Sequence, residues 1–137
     1  MAQPVPPVQS GDALTGAETA LARLINEYRA EKGLPPVVLS VSLTAVARTH
    51  ALDQAAHHVY KSKCNLHSWS SDGKWSSCCY TPDHRKAACM WNKPRELTQY
   101  PGDGYEISFY STFRYESPEA FARDILEGWK RSPHDNE

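Results

Sequence analysis

The chain contains no apolar run that approaches the roughly 18 residues of a membrane-spanning helix, so no membrane span is predicted. It also lacks an excess of charge of either sign, because 15 basic residues face 16 acidic ones and the net charge is −1. Proteins that bind nucleic acid through its phosphates usually carry a basic field. The sequence therefore predicts no nucleic-acid partner.

Several motifs of hydrolases and zinc proteins are missing as well. The chain has no His-Glu-x-x-His pattern, no Gly-x-Ser-x-Gly pattern and no Cys-x-x-Cys pair. Its first residues have neither the basic start nor the apolar stretch of a signal peptide. Two interpretations stay open here: a cytosolic protein, or a mature secreted domain in which an initiator Met replaces the removed signal.

The length of 137 residues is that of one domain, and its 40% hydrophobic and 23% charged content is typical of globular proteins. Residues 1–14 are rich in Pro, Gln and Ser and show no periodicity, which predicts a flexible N-terminal tail. The folded domain is therefore predicted at residues 15–137.

The cysteines indicate the redox state of the protein's cellular compartment. There are four, all in one segment: Cys64, Cys78, Cys79 and Cys89. An even, clustered set in a loop-rich segment favours disulfides, whereas the spacings fit no familiar zinc module. Neighbouring Cα atoms are only about 3.8 Å apart, so a bridge between the adjacent pair would be strained. We predict that Cys64 and Cys89 each bond to one of the middle two, in either combination, and that the protein belongs to an oxidising compartment.

Apolar residues at helical spacing predict three helices, at residues 17–32, 42–58 and 118–131. Polar residues at the N-cap positions support these starts, and a glycine followed by two prolines ends the first helix. The predicted caps are Thr15, Ser42, Ser117 and, at the end of the first helix, Gly33.

The remaining chain predicts one strand and one long loop. Residues 105–110 alternate, with Tyr105, Ile107 and Phe109 on one face and Glu106 on the other, which predicts a strand. Residues 61–103 lack periodicity, and loops of about 40 residues are usually functional or cross-linked. We expect the disulfides to cross-link this loop and its tryptophans to pack a satellite core.

The second predicted helix carries His50, Asp53, Gln54 and His57 at separations of three and four, so these side chains share one side. That spacing can build a metal site. We favour the alternative, in which His50 is partly buried and satisfied by a neighbour while Asp53 and His57 face solvent.

Two blocks of the sequence together resemble the opening of a CAP (SCP-like) domain, the family of cysteine-rich secretory, antigen 5 and pathogenesis-related 1 proteins. The first block is Ile25-Asn-Glu-Tyr-Arg-Ala-Glu-Lys-Gly-Leu-Pro-Pro36, and the second runs from Leu43 to Asp53. The pair His67-Ser68, the Glu106 strand and Trp129-Lys-Arg-Ser-Pro-His134 resemble later landmarks of the family, especially in its bacterial branch.

The resemblance implies an α+β fold, a three-layer α-β-α sandwich with the first two helices on one side of the sheet and the third on the other. It implies a cleft of histidine and glutamate side chains that sometimes holds a divalent metal. Carried over by position, the cleft residues are His67, Glu106, His134 and Ser68, of which the first three are the expected metal ligands. Family members usually continue into further strands, so a C-terminally truncated domain is expected.

From this resemblance we expect a secreted, extracellular or periplasmic monomer that binds an unidentified extracellular ligand or protein. Two alternatives use the same cleft or fold: a metal-dependent, peptidase-like hydrolase and a lipid or sterol binder. For the metal, zinc bound by two histidines and a carboxylate would leave one position for water. We expect any such site to be weak, of micromolar affinity or poorer, and to depend on His67 rather than on His57.

Overall fold

In a computed structural model, the described residues are 15–58 and 63–136. They form five helices, with no strand among them: α1 Gly16–Glu31, α2 Val41–His57, α3 Ala88–Trp91, α4 Lys93–Leu97 and α5 Pro118–Arg131. The predicted tail at residues 1–14 lies outside the described residues. None of the described helices is both long and apolar enough to cross a membrane.

The described residues divide into two compact units. The first unit contains residues 40–58 and 63–108, and the second contains residues 15–39 and 109–136. The first unit holds all four cysteines and therefore the cross-linked part of the chain.

The three long helices lie within one residue of their predicted bounds because local caps define their ends. At α1, Thr15 Oγ1 accepts from the Glu18 amide at 3.2 Å, and the Glu18 carboxylate accepts from the Thr15 amide at 3.2 Å. Gly33 follows α1 with φ +73°, the left-handed conformation that glycine adopts without strain. The cap of α2 is Ser40 and not the predicted Ser42, since Ser40 Oγ accepts from the Leu43 amide at 3.2 Å.

The second unit consists mainly of α1 packed against α5. Its core is formed by Ala20, Leu24 and Ala122, all buried, and the alanines allow the two helices to approach closely. Arg23 on α1 forms ion pairs with Glu27, at 2.7 Å, and with Glu119 on α5. These pairs are about half exposed, so the buried apolar contact contributes most of the stability.

The Asn-x-x-Arg pattern that carries the family resemblance has a structural role in this unit. The Asn26 side chain accepts from the Val37 amide at 2.8 Å and donates to the Val37 carbonyl at 3.2 Å. Arg29 Nε donates to the Pro35 carbonyl at 2.8 Å. Two side chains of α1 therefore hold the extended Leu-Pro-Pro segment that follows the helix.

The first unit is organised by two disulfides, Cys64–Cys79 and Cys78–Cys89, which confirms the predicted pattern and selects one of the two combinations. An antiparallel β-bridge joins Trp69 and Cys78 inside the cross-linked segment. Buried residues around it form one core: Val46, Trp69, Cys78, Tyr80, Ala87, Met90 and Leu97. Trp75 packs against this core, whereas Trp91 is one-third exposed.

Two sequence-based predictions are not observed among the described residues. The segment predicted as a loop contains the short helices α3 and α4, which the sequence pattern did not indicate. Residues 105–110, predicted as a strand, have no ladder partner, and the one β-bridge of the described residues is elsewhere. Tyr105 on the expected apolar face is 78% exposed. The predicted α-β-α sandwich is therefore not observed in the part of the chain that the structure describes.

Candidate functional site

Two histidines share one carboxylate in the first unit. Glu106 Oε2 lies 2.5 Å from His50 Nδ1, and Glu106 Oε1 lies 2.8 Å from His67 Nδ1. Ser108 Oγ donates to Glu106 Oε1 at 2.9 Å. His50 comes from α2, His67 from the disulfide-linked segment and Glu106 from the irregular segment that follows α4. We call His50, His67 and Glu106 the His–Glu cluster.

His50 is the most firmly held member of the cluster. It is 4% exposed and its ring stacks on Trp69, with centroids 4.4 Å apart and planes inclined by 7°. Its Nε2 lies 2.8 Å from the Ser68 carbonyl oxygen, so both ring nitrogens face oxygen acceptors. The sequence predicted a partly buried His50 satisfied by a neighbour, whereas the structure buries it fully and places oxygen partners at both ring nitrogens, Glu106 among them.

Glu106 is held in its ionised form. Burial by itself would raise its pKa, but hydrogen bonds from His50 and His67, the charge of His50 and the bond from Ser108 outweigh burial. Together they lower the pKa of Glu106 from its ordinary 4.5 to about 2. The cluster therefore presents a fixed carboxylate at neutral pH.

We expect this low pKa to appear as a pH-dependent stability. Because the folded pKa lies below the unfolded one, the contribution is present above pH 4.5 and is lost as the pH falls to about 2. Glu106→Gln should lower the free energy of unfolding by about 3 kcal/mol near pH 6. The difference from wild type should shrink towards zero near pH 2, measured by urea unfolding with tryptophan fluorescence. Exposed Glu116→Gln is the control, and a pH-independent deficit of Glu106→Gln would contradict the expectation.

Asp53 is buried, so the prediction that it faces solvent was wrong. It accepts from the Ser70 amide at 2.8 Å and from Ser70 Oγ at 2.5 Å. His57 is exposed as predicted, and its Nε2 lies 3.2 Å from Asp72 Oδ2 and 3.9 Å from Asp53 Oδ1. The helical separation of three between His50 and Asp53 places both on the buried side of α2, a signal that was available in the sequence.

Ser68, which was also predicted for the cleft, contacts the His–Glu cluster through its carbonyl oxygen, 2.8 Å from His50 Nε2. Ser68 is fully buried, and its Oγ accepts from the Tyr80 amide at 2.9 Å, so this hydroxyl holds the cross-linked segment in place. His134 belongs to the second unit, where it lies exposed in the turn that follows α5. The structure brings together His67 and Glu106 of the predicted set.

A cavity of about 440 Å³ lies beside the cluster in the first unit, and Glu106 forms part of its wall. α2 supplies one side, α3 and α4 a second side, and residues 100–107 a third. Most lining side chains are apolar or aromatic, and three are charged. The lining residues are Leu43, Val46, Ala47, Trp69, Met90, Lys93, Pro94, Tyr100, Asp103, Gly104, Tyr105, Glu106 and Ile107.

The donor set of the cluster does not match a zinc centre. Zinc sites use at least three protein ligands, and no three His, Cys, Asp or Glu side chains of residues 15–58 and 63–136 form such a group. Nδ1 of both histidines is directed at Glu106, whose two oxygens accept these contacts. All four cysteines are in disulfides. No catalytic step through a metal is therefore derived for these residues.

Comparison with known proteins places the chain in a family. The family model described as CAP, the cysteine-rich secretory protein family, matches residues 22–137. No curated protein and no solved structure matches the chain. The match includes α2 to α5, both disulfides and the His–Glu cluster. The chain belongs to the CAP family.

Proposed function

We propose that this chain is an extracellular binding or recognition domain, whose ligand occupies the cavity of the first unit beside the His–Glu cluster. Membership of a family described as secretory supports the extracellular assignment. The two disulfides support it as well, because such bonds persist in oxidising compartments. As narrower proposals, the chain belongs to the bacterial branch of the family and is located in the periplasm.

The observation that carries the proposal is the cavity itself. Its volume of about 440 Å³ falls in the range of small-molecule sites, roughly 300–1,000 Å³. Such sites combine mostly apolar walls with a few fixed polar groups that orient the ligand. Here the walls are apolar and aromatic, and Glu106 is fixed by hydrogen bonds from two histidines.

The state of Glu106 favours binding over hydrolysis. A general acid or base works best with a pKa near the working pH, and hydrogen bonds lower the pKa of Glu106 to about 2. A carboxylate with so low a pKa is a weak base, and the hydrogen bonds that it accepts from both histidines fix it as part of the cavity wall. The hydrolase and the lipid or sterol binder remain alternative hypotheses, and the second of these would use the same apolar walls.

Filling the cavity tests the proposal. Ala47 on α2 is exposed and lines the cavity, so Ala47→Phe should block it without disturbing the core. We expect the neutral dye N-phenylnaphthylamine to bind wild type with a fluorescence increase, and Ala47→Phe to weaken binding by about tenfold or more. Ala55→Phe, at an exposed position of α2 away from the lining, is the matched control. No dye binding to wild type, or equal binding to Ala47→Phe, would overturn the proposal.

A further inference from the structure

Resting on the proposed function, we propose that the cavity binds an organic acid, with an apolar or aromatic body and one carboxylate held by Lys93. No sequence pattern singled out this lysine. It is the first residue of α4 and one of the three charged residues that line the cavity.

Lys93 is an unusual residue in its surroundings. It is 1% exposed, although lysine is almost never fully buried unless it is paired. Its Nζ donates to Glu96 Oε2 at 3.0 Å and lies 5.7 Å from the ring centroid of Trp69. Trp69 is itself a lining residue and carries the stacked His50 ring. The ammonium group is therefore buried beside the ring of a residue that lines the cavity.

The hydrogen-bonding capacity of this ammonium exceeds its contacts. An ammonium has three N–H donors, and Glu96 is its one hydrogen-bond acceptor within residues 15–58 and 63–136. Glu96 is shared, because its other oxygen accepts from the Ser76 amide. Buried donors of a charged group are costly when unmet, so a ligand carboxylate would complete the surroundings of Lys93.

The other charged residues of the lining favour an anion over a cation. Asp103 is already paired with Arg95, at 2.6 Å between Oδ1 and Nη1. Glu106 accepts from two histidines and Ser108. A cationic ligand would have to compete with these partners, whereas Lys93 can add an acceptor without losing Glu96.

The apolar and aromatic lining residues indicate the chemistry of the ligand's body. Leu43, Val46 and Met90 contribute aliphatic surface, and Tyr100 and Tyr105 contribute aromatic surface. A body of one aromatic ring with a short alkyl chain would bury its apolar area there, which favours binding because apolar surface is removed from water. The structure thus indicates an aryl-alkyl monocarboxylate as the ligand class.

The first test needs no substitution. Phenylbutanoate and the uncharged phenylbutanol have bodies of nearly equal size, and both are used to displace N-phenylnaphthylamine from wild type at pH 7. We expect the acid to bind about tenfold more tightly than the alcohol, as for an added charge-assisted hydrogen bond. Equal affinities would overturn the organic-acid inference. Dye binding that is blocked by Ala47→Phe would still support the proposed function in that case.

Two variants then assign the effect to Lys93. Lys93→Met keeps the apolar stem of the side chain. The affinity for phenylbutanoate should therefore fall to that for phenylbutanol, while the affinity for phenylbutanol should not change. Glu96→Gln removes the competing carboxylate, and the acid should then bind several-fold more tightly. Structural damage would weaken binding in both variants, so the opposite signs separate the two explanations. Acid affinity that falls in Glu96→Gln while circular dichroism shows an intact fold would contradict the inference.

Discussion

Loss of the Cys78–Cys89 disulfide should lower the free energy of unfolding of the first unit by about 3–5 kcal/mol. The bridge spans 11 residues and restricts the unfolded chain, which accounts for nearly 3 kcal/mol. Cys78 is also buried in the core beside Trp69, so its replacement by Ala removes packing as well. The double variant Cys78→Ala/Cys89→Ala, unfolded in urea and followed by tryptophan fluorescence, measures the loss.

The second disulfide provides the matched control. Cys64–Cys79 spans 15 residues, so its entropic contribution should differ by only a few tenths of a kcal/mol. Both of its cysteines are half-buried and lie outside the core cluster. Cys64→Ala/Cys79→Ala should therefore cost less than the first double variant. A larger loss for Cys64→Ala/Cys79→Ala would show that the core position of Cys78 does not matter.

Trp69→Ala should destabilise the first unit by about 3–5 kcal/mol, the range for removing a large buried aromatic side chain. Trp69 is 2% exposed, stacks against His50 and meets Trp75 edge-on, with centroids 5.2 Å apart. Its Nε1 has no hydrogen-bond partner among the described residues, so the loss is one of packing. Urea unfolding followed by circular dichroism avoids the changed fluorescence of the variant.

Trp91→Ala is the control for this substitution. Trp91 is 36% exposed, and its ring contact is with Tyr105, which is itself mostly exposed. We expect a loss of about 1 kcal/mol or less, as for a partly exposed side chain. Trp69 lines the cavity and Trp91 does not, so Trp69→Ala should weaken dye binding, whereas Trp91→Ala should not. Equal losses of stability in the two variants would contradict the central role of Trp69.

The helices could be predicted because their ends depend on neighbouring residues. The structure contains both predicted end signals of α1: the reciprocal hydrogen bonds between Thr15 and Glu18, and the glycine at position 33. Each acts within a few residues. The Ser40 cap was missed because Ser42 stands two residues later and has the same chemistry. Local hydrogen-bonding rules allow either serine, and the backbone conformation of the segment before α2 selects one.

The strand and the long loop could not be predicted in the same way. An alternating pattern such as residues 105–110 indicates which side chains share a face, and Ser108 does donate a hydrogen bond to Glu106. It cannot supply a neighbouring strand, which has to come from elsewhere in the chain. The helices α3 and α4 are too short to be stable by local preference, and tertiary contacts hold them: Cys89 of α3 is bonded to Cys78, and α4 packs against α2.

For the candidate site, the sequence indicated His67 and Glu106, but the assignment depended on family resemblance. The contribution of His50 was not apparent, because its partner Glu106 lies 56 positions away. Helical spacing shows that His50 faces the core but not which carboxylate meets it there. The burial of Lys93 could not be predicted for the same reason, since its exposure depends on how α4 packs beside Trp69.

By itself, the sequence determined the three long helices, their approximate ends, and the rule that Cys64 and Cys89 bond to the adjacent pair. These properties follow from local backbone chemistry and from the short distance between neighbouring Cα atoms. Tertiary structure alone decided the disulfide combination, the sharing of Glu106 by two histidines and the cavity above Trp69. The physical reason is that these depend on contacts between residues far apart in sequence, whose energies no local pattern contains.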